Sequence, residues 1–195
     1  MSQFVLATAN VHKSTEMRAI LAPLAIDLVD RPATVAPVEE TEETLEGNAL
    51  LKARSLAEAT AMAAIADDTG LFVAALDGRP GVHSARYAGA AATYEQNVAK
   101  LLGELAGVDG PRDARFATVV AVAFPAGASF CVRGELDGVI TTAPRGGHGF
   151  GYDPVFVPNG GDGRTLAEMT EAEKNTLSHR ARALQALVEE LAYFS

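Results

Sequence analysis

The feature that most restricts the fold is a pair of long strand-like runs, ARFATVVAVAF (114–124) and ASFCVRGEL (128–136), separated by Pro125-Ala126-Gly127. Two extended runs joined by so short a turn pair as an antiparallel hairpin. The rest of the chain supplies helices and further strands around it. Phe4 to Thr8 is an apolar run bounded by Asn10 and reads as a first, central strand. Met17, Ile20, Leu21 and Leu24 then recur at helical spacing, and Ile26 to Val29 reads as a second strand.

The segment 38–63, VEETEETLEGNALLKARSLAEATAMA, has the Ala, Leu and Glu content of a long helix with acidic residues at its front. Ala64 to Ala66 and LFVAAL (71–76) read as two strand pieces broken by Asp67-Asp68-Thr69-Gly70. TYEQNVAKLLGELAG (93–107) is an amphipathic helix, and Gly146 to Gly163 is rich in Gly and Pro and reads as irregular. Thr170-Glu171-Ala172-Glu173 is a capping-box pattern opening a terminal helical region with an apolar stripe at Leu177, Ala181, Leu184, Leu187 and Leu191. The order of elements gives an α/β fold in one chain-wide unit, residues 1–195, without repeat or linker.

Charge narrows the partners. The net charge of −9 opposes non-specific nucleic-acid binding, which depends on Lys and Arg neutralising phosphates, yet leaves a small phosphorylated ligand open. The one cysteine, Cys131, excludes an intramolecular disulfide and a thiolate zinc site, and its apolar run reads as the setting of a buried structural thiol. The 4 histidines have no zinc spacing. No signal peptide or membrane span is read in the chain, so the expectation is a soluble cytoplasmic protein.

Five constellations could carry chemistry. Thr8-Ala9-Asn10-Val11-His12-Lys13 joins a strand to a helix and reads either as an anion cradle or as a capped helix start with a surface lysine. The glutamates from Glu39 to Glu46 either complement a helix dipole or include a metal ligand. In IADDTG an extended backbone points Asp67 and Asp68 to opposite faces, so one carboxylate meets a given metal unless Thr69-Gly70 bends the chain. A solvated turn, a metal ligand and a general base all remain open for this pair. The loop from Gly146 to Pro154 interleaves glycines with Phe150 and Tyr152, which suits either a stacked base or a structural loop. On one continuous helix Lys174 and His179 lie about 140° apart. They converge if the helix breaks near Leu177 and Ser178 caps a new one.

Taken together and in order, LATANVHK, EET before NALLKA, IADDTGLFVAAL with GRPGVHSARYAG, GFGYDPVF and AEMTEAEKNTLSHRARAL resemble the inosine triphosphate pyrophosphatase family. The resemblance runs from Leu6 to Leu184. It implies an elongated two-lobed α/β fold with a long mixed β-sheet flanked by helices and a central cleft. It also implies a homodimer, Mg²⁺ and hydrolysis of ITP, dITP and XTP to the monophosphate and diphosphate. By position, Thr8, Asn10 and Lys13 hold the triphosphate, with Thr69 keeping the hydroxyl of the family's commoner serine. Asp68 is implied as general base and metal ligand, supported by Asp67, with Glu40 as the second acidic ligand and Glu39 as its substitute. Phe150, Gly151, Tyr152, Asp153, Lys174, His179 and Arg180 form the implied base pocket, Arg180 donating to O6 of the purine. Ala9, His12 and His148 depart from the family pattern, where small residues or glycine are usual. Two other readings stand beside this one: a related pyrophosphatase of modified pyrimidine nucleotides, and a nucleotide-binding regulator without turnover.

Overall fold

Phe4, Val5 and Leu6 are buried on consecutive positions, the pattern of an internal parallel strand. In the computed structural model, which describes residues 2–24 and 26–193, β1 (Ser2–Leu6) lies between β2 (Ile26–Asp30) and β3 (Ala64–Val73). Both pairings are parallel, with Phe4 opposite Leu28 and Val5 opposite Ala64. The predicted hairpin is present as β5 (Asp113–Ala123) and β6 (Ser129–Ile140), closed by Phe124 N–H to Ala128 O at 2.9 Å. Short β4 (Pro80–Gly81) pairs with β3, and β7 (Phe156–Pro158) pairs antiparallel with β6. Among the described residues, 7 strands form one mixed sheet with the path β2-β1-β3-β5-β6-β7.

Among the described residues, five α-helices accompany the strands: α1 (Val11–Leu21), α2 (Leu45–Thr60), α3 (Tyr94–Leu105), α4 (Glu171–Leu177) and α5 (His179–Leu191). Among the described residues no helix is long and apolar enough to cross a membrane.

The chain divides into two compact units. The first comprises Met1–Asp68, Thr118–Gly134 and Arg180–Ser195; the second comprises Thr69–Ala117 and Glu135–His179. Three of the four passages fall inside strands β3, β5 and β6, and the fourth inside α5, so no linker exists for sequence composition to reveal. The core of the first unit is built by Phe4, Met17, Leu21, Ile65, Val120 and Leu184. That of the second gathers Leu71, Val98, Leu101, Phe116, Phe156 and Leu166.

Four sequence expectations are corrected. The pieces around IADDTG are one strand of 10 residues, with Asp67 and Asp68 both buried inside it. Cations supplied by other elements make that burial tolerable, and sequence periodicity cannot see them. Helix α2 begins at Leu45, leaving Glu39 to Glu43 in the preceding loop. Thr44 caps the helix by accepting from Gly47 N, and buried Asn48 grips Glu42 through both its amide ends, at 3.0 and 3.2 Å. The Gly- and Pro-rich segment after Gly146 is not wholly irregular: it contains a single 3₁₀ turn, Asp153–Val155, and β7. Cys131 is half-buried rather than buried. The condition on which Lys174 and His179 could converge is met: α4 and α5 are separated at Ser178, whose ψ of 157° is extended.

Candidate functional site

In the first unit, strand β3 presents two carboxylates to two different sets of cations. Alternation along the strand sends Asp67 and Asp68 to opposite sides. Asp67 Oδ2 meets Lys13 Nζ at 3.1 Å and Arg180 Nη2 at 3.3 Å. Arg180, buried at the start of α5, also pairs with Glu16 on α1. Burial alone would raise the Asp67 pKa. Lys13, Arg180 and Lys52 outweigh that effect and hold its carboxyl well below the usual carboxylate range.

Asp68 differs from its neighbour in its cation and in the direction of its pKa shift. Its Oδ1 accepts from Lys52 Nζ at 3.1 Å, while Oδ2 is buried with no hydrogen-bond partner among the described residues. Burial raises the Asp68 pKa, Lys52 works against that rise, and Glu40 adds to it. The Lys52 ammonium also holds Glu40 Oε1 at 2.7 Å, so one cation bridges two carboxylates. Burial opposes the charge on Lys52, but Asp68, Asp67 and Glu40 keep its pKa raised. Of the two glutamates named for the second acidic position, Glu40 joins this cluster and Glu39 is exposed.

The loop from β1 to α1 is ordered by its own polar side chains. Thr8 Oγ1 accepts from Asn10 N–H at 3.1 Å, and Asn10 Oδ1 accepts from the N–H groups of His12 and Lys13 at 3.0 and 3.3 Å. Those two helix N–H groups therefore already have a partner, and the cationic group of this loop is the Lys13 ammonium.

Could the cluster take a divalent cation? Among the described residues no group of three or more His, Cys, Asp or Glu side chains could hold a metal alone. Mg²⁺ commonly binds one or two carboxylates and completes its shell with phosphate oxygens and water. The unpartnered Asp68 oxygen, with Glu40 on the same ammonium, fits that donor set.

In the second unit, the loop 146–151 is tied down from below. The N–H groups of Gly147 and His148 both reach Ala167 O at 3.0 Å. Asp153, buried, accepts from Phe150 N–H at 2.8 Å and from Lys174 Nζ at 2.5 Å. The same ammonium stands 4.8 Å from the Phe150 ring centroid, a cation–π distance. Gly149 has a φ of +71°, and a Cβ there would come within 2.1 Å of the Asp153 carboxylate, so glycine is required. Gly151 has a φ of +63°.

Three expected pocket residues are engaged elsewhere. Tyr152 is a core residue whose hydroxyl donates to Ser84 O at 2.9 Å, and burial pushes its pKa up. His179 is buried and stacked on Phe116, with ring centroids 4.5 Å apart. Arg180 is ion-paired to Asp67 and Glu16. Thr69 is half-buried and His148 exposed.

Sequence reasoning assigned no role to Lys52 or Glu16. A signal for Lys52 existed: Leu45, Ala49, Ala53 and Leu56 form the buried stripe of α2, and Lys52 is a lysine set against it. Glu16, three residues after Lys13 on the same helix, carries no comparable signal.

Residues 4–190 match the sequence profile of the Ham1 family. The chain is 47% identical over 193 residues to the dITP/XTP pyrophosphatase of Streptomyces coelicolor, covering 96% of each chain. It is 43% identical over 190 residues to that of Bacillus subtilis, again covering 96% of each. Among solved structures, the HAM1 protein from Coxiella burnetii superposes with a TM-score of 0.89 at 41% identity, over 99% of this chain and 100% of that one. The Staphylococcus aureus Ham1 protein gives 0.87 at 33% identity, over 100% of both. With nearly its whole length matched in sequence and in fold, the chain belongs to the Ham1 family.

Proposed function

We propose that this protein hydrolyses non-standard purine nucleoside triphosphates (ITP, dITP and XTP) to the monophosphate and diphosphate, with Mg²⁺, and so clears them from the nucleotide pool. One observation carries the reading. Asp68 is a buried carboxylate with one oxygen held by Lys52 and the other without a hydrogen-bond partner among the described residues. The substrate class is supported by the relatives named dITP/XTP pyrophosphatase.

In the proposed reaction, NTP + H₂O → NMP + diphosphate, a water oxygen bonds to the α-phosphorus and the oxygen bridging to the β-phosphorus leaves with the diphosphate. Asp68 takes the proton of the attacking water, and the raised proton affinity that burial gives this carboxyl suits it to that work. Lys52 fixes the orientation of Asp68 through Oδ1. Lys13 meets the phosphate charge, flanked by the side chains of Thr8 and Asn10. Asp67 holds Lys13 in position, Arg180 pairs with the same Asp67 carboxylate, and Glu16 holds Arg180. When bound to Asp68 and Glu40, Mg²⁺ supplies charge neutralisation for the triphosphate oxygens. The base stacks on the Phe150 ring, whose backbone is fixed by Asp153 and whose face is shared with Lys174.

The test is diphosphate release from ITP, XTP, dITP, GTP and ATP, side by side, with Mg²⁺. Release from ITP, dITP and XTP well above that from ATP is expected, and no release from any of them overturns the function. Asp68→Asn should lower kcat by about 100-fold or more while the fold persists. An active variant removes Asp68 from the role of base.

A further inference from the structure

Helix α3 is anchored on both sides of its first turn. Thr93 and Gln96 form a reciprocal capping box. Asn97 is buried; it accepts from Ala88 N–H at 2.8 Å and donates to Ala85 O at 3.1 Å. Val98, Leu101 and Leu105 then enter the core of the second unit. The first residue of this fixed helix is Tyr94, and its ring centroid is 5.9 Å from that of Phe150, with the planes inclined by 43°. That separation and tilt belong to the favourable range for aromatic pairs.

Behind the pair lies a cavity of about 500 Å³, lined by Tyr94, Val98 and Leu102 from α3 and by Pro144, Phe150 and Pro154 from the opposite wall. The cavity means that loop and helix are not packed along their whole length. A ring on its edge has room to turn unless something stops it. The backbone of Phe150 is fixed by Asp153, and its ring meets the Lys174 ammonium at 4.8 Å and the Tyr94 ring.

We infer that Tyr94 is a positioning residue for substrate recognition: it braces the Phe150 ring from a fixed helix end and keeps it out of the adjacent cavity, so that the ring is already oriented for a purine base. This inference rests on the proposed stacking of the base on Phe150. A ring held in its binding orientation avoids the ordering cost that a free ring incurs when ligand arrives. The gain therefore belongs to the base, and the triphosphate does not share in it.

The experiment compares KM and kcat for ITP with the inhibition constant of inorganic tripolyphosphate, which carries phosphate charge and no base. Tyr94→Ala should raise KM for ITP about 2- to 12-fold, the span expected from the worth of an aromatic pair. Its kcat should change less than about 2-fold, tripolyphosphate inhibition should be unchanged, and Tyr94→Phe should restore KM, since the contact is ring to ring. Tyr94→Leu, which keeps apolar bulk without the aromatic face, gives the same reading if the alanine variant folds poorly. An unchanged KM, a parallel loss of tripolyphosphate inhibition, or failure of Tyr94→Phe to restore KM each overturns the brace. Phe150→Ala separates the two levels. If it raises KM for ITP while Tyr94→Ala does not, the brace alone fails; if it leaves KM unchanged, the base-stacking reading fails with it.

Discussion

Asp67 and Asp68 are chemically identical neighbours that the fold makes into different groups. Asp67 pairs with Lys13 and Arg180, which hold its carboxyl well below the usual carboxylate range, whereas Asp68 pairs with Lys52 and burial raises its pKa. Replacing Asp67 by Asn removes the buried negative charge that Lys13 and Arg180 share, which should cost about 3–5 kcal/mol of stability at neutral pH, read from urea denaturation. The sign of its pH dependence follows from the lowered pKa. The folded state holds this proton less tightly than the unfolded chain, so Asp67 stabilises the fold above the unfolded pKa of about 3.9 and progressively less as pH falls below it. The stability gap between wild type and Asp67→Asn should accordingly narrow between pH 5 and the acid limit. A gap that widened toward acid would contradict the assignment of its partners. At this scale, alternation along a strand predicts that the two carboxylates diverge. It does not predict their cations, because Lys13, Lys52 and Arg180 come from three separate helices.

At the scale of elements, the uninterrupted run of β3 through Asp67-Asp68-Thr69-Gly70 depends on what packs against Gly70. A Cβ there would lie 2.7 Å from Gly81 O and 3.0 Å from the Phe72 ring. The neighbouring amide, Leu71 N–H, donates to Ser84 Oγ at 2.8 Å, and that hydroxyl donates on to Gly81 O at 2.6 Å. Gly70→Ala should therefore destabilise by about 1–3 kcal/mol through steric conflict with a backbone carbonyl, measured as a lowered denaturation midpoint with an unchanged m-value. An alanine variant as stable as wild type would mean that β4 can retreat at no cost. Local sequence marks this site as a turn, since Asp, Thr and Gly are turn residues, and only the pairing of β3 with its neighbours overrides that preference. The hairpin and the α4–α5 break are legible because their signals are local, a short turn and a capping serine. The start of α2 is misread because Glu-rich sequence has helical propensity, while Thr44 and Asn48 fix the boundary by side-chain capping.

Each unit of the molecule is assembled from segments far apart in sequence. The core of the first unit needs Phe4 from the N-terminal strand, Val120 from the hairpin and Leu184 from the last helix. Leu184→Ala, near the end of the chain, should cost about 2–5 kcal/mol, as for a fully buried leucine in any core. A loss below about 1 kcal/mol in equilibrium unfolding would show that α5 is peripheral to the core. Composition makes the α/β class readable, but not the division into two units, because that division follows contacts and is marked by no change in residue type.

The bridge that Lys52 makes between Glu40 and Asp68 also decides how two negative charges can stand together. Facing carboxylates ordinarily repel. Here the chain carries a tenant of its own, a tethered ammonium lodged where the two negative charges meet. The two carboxylates are held side by side by a charge that belongs to the chain itself.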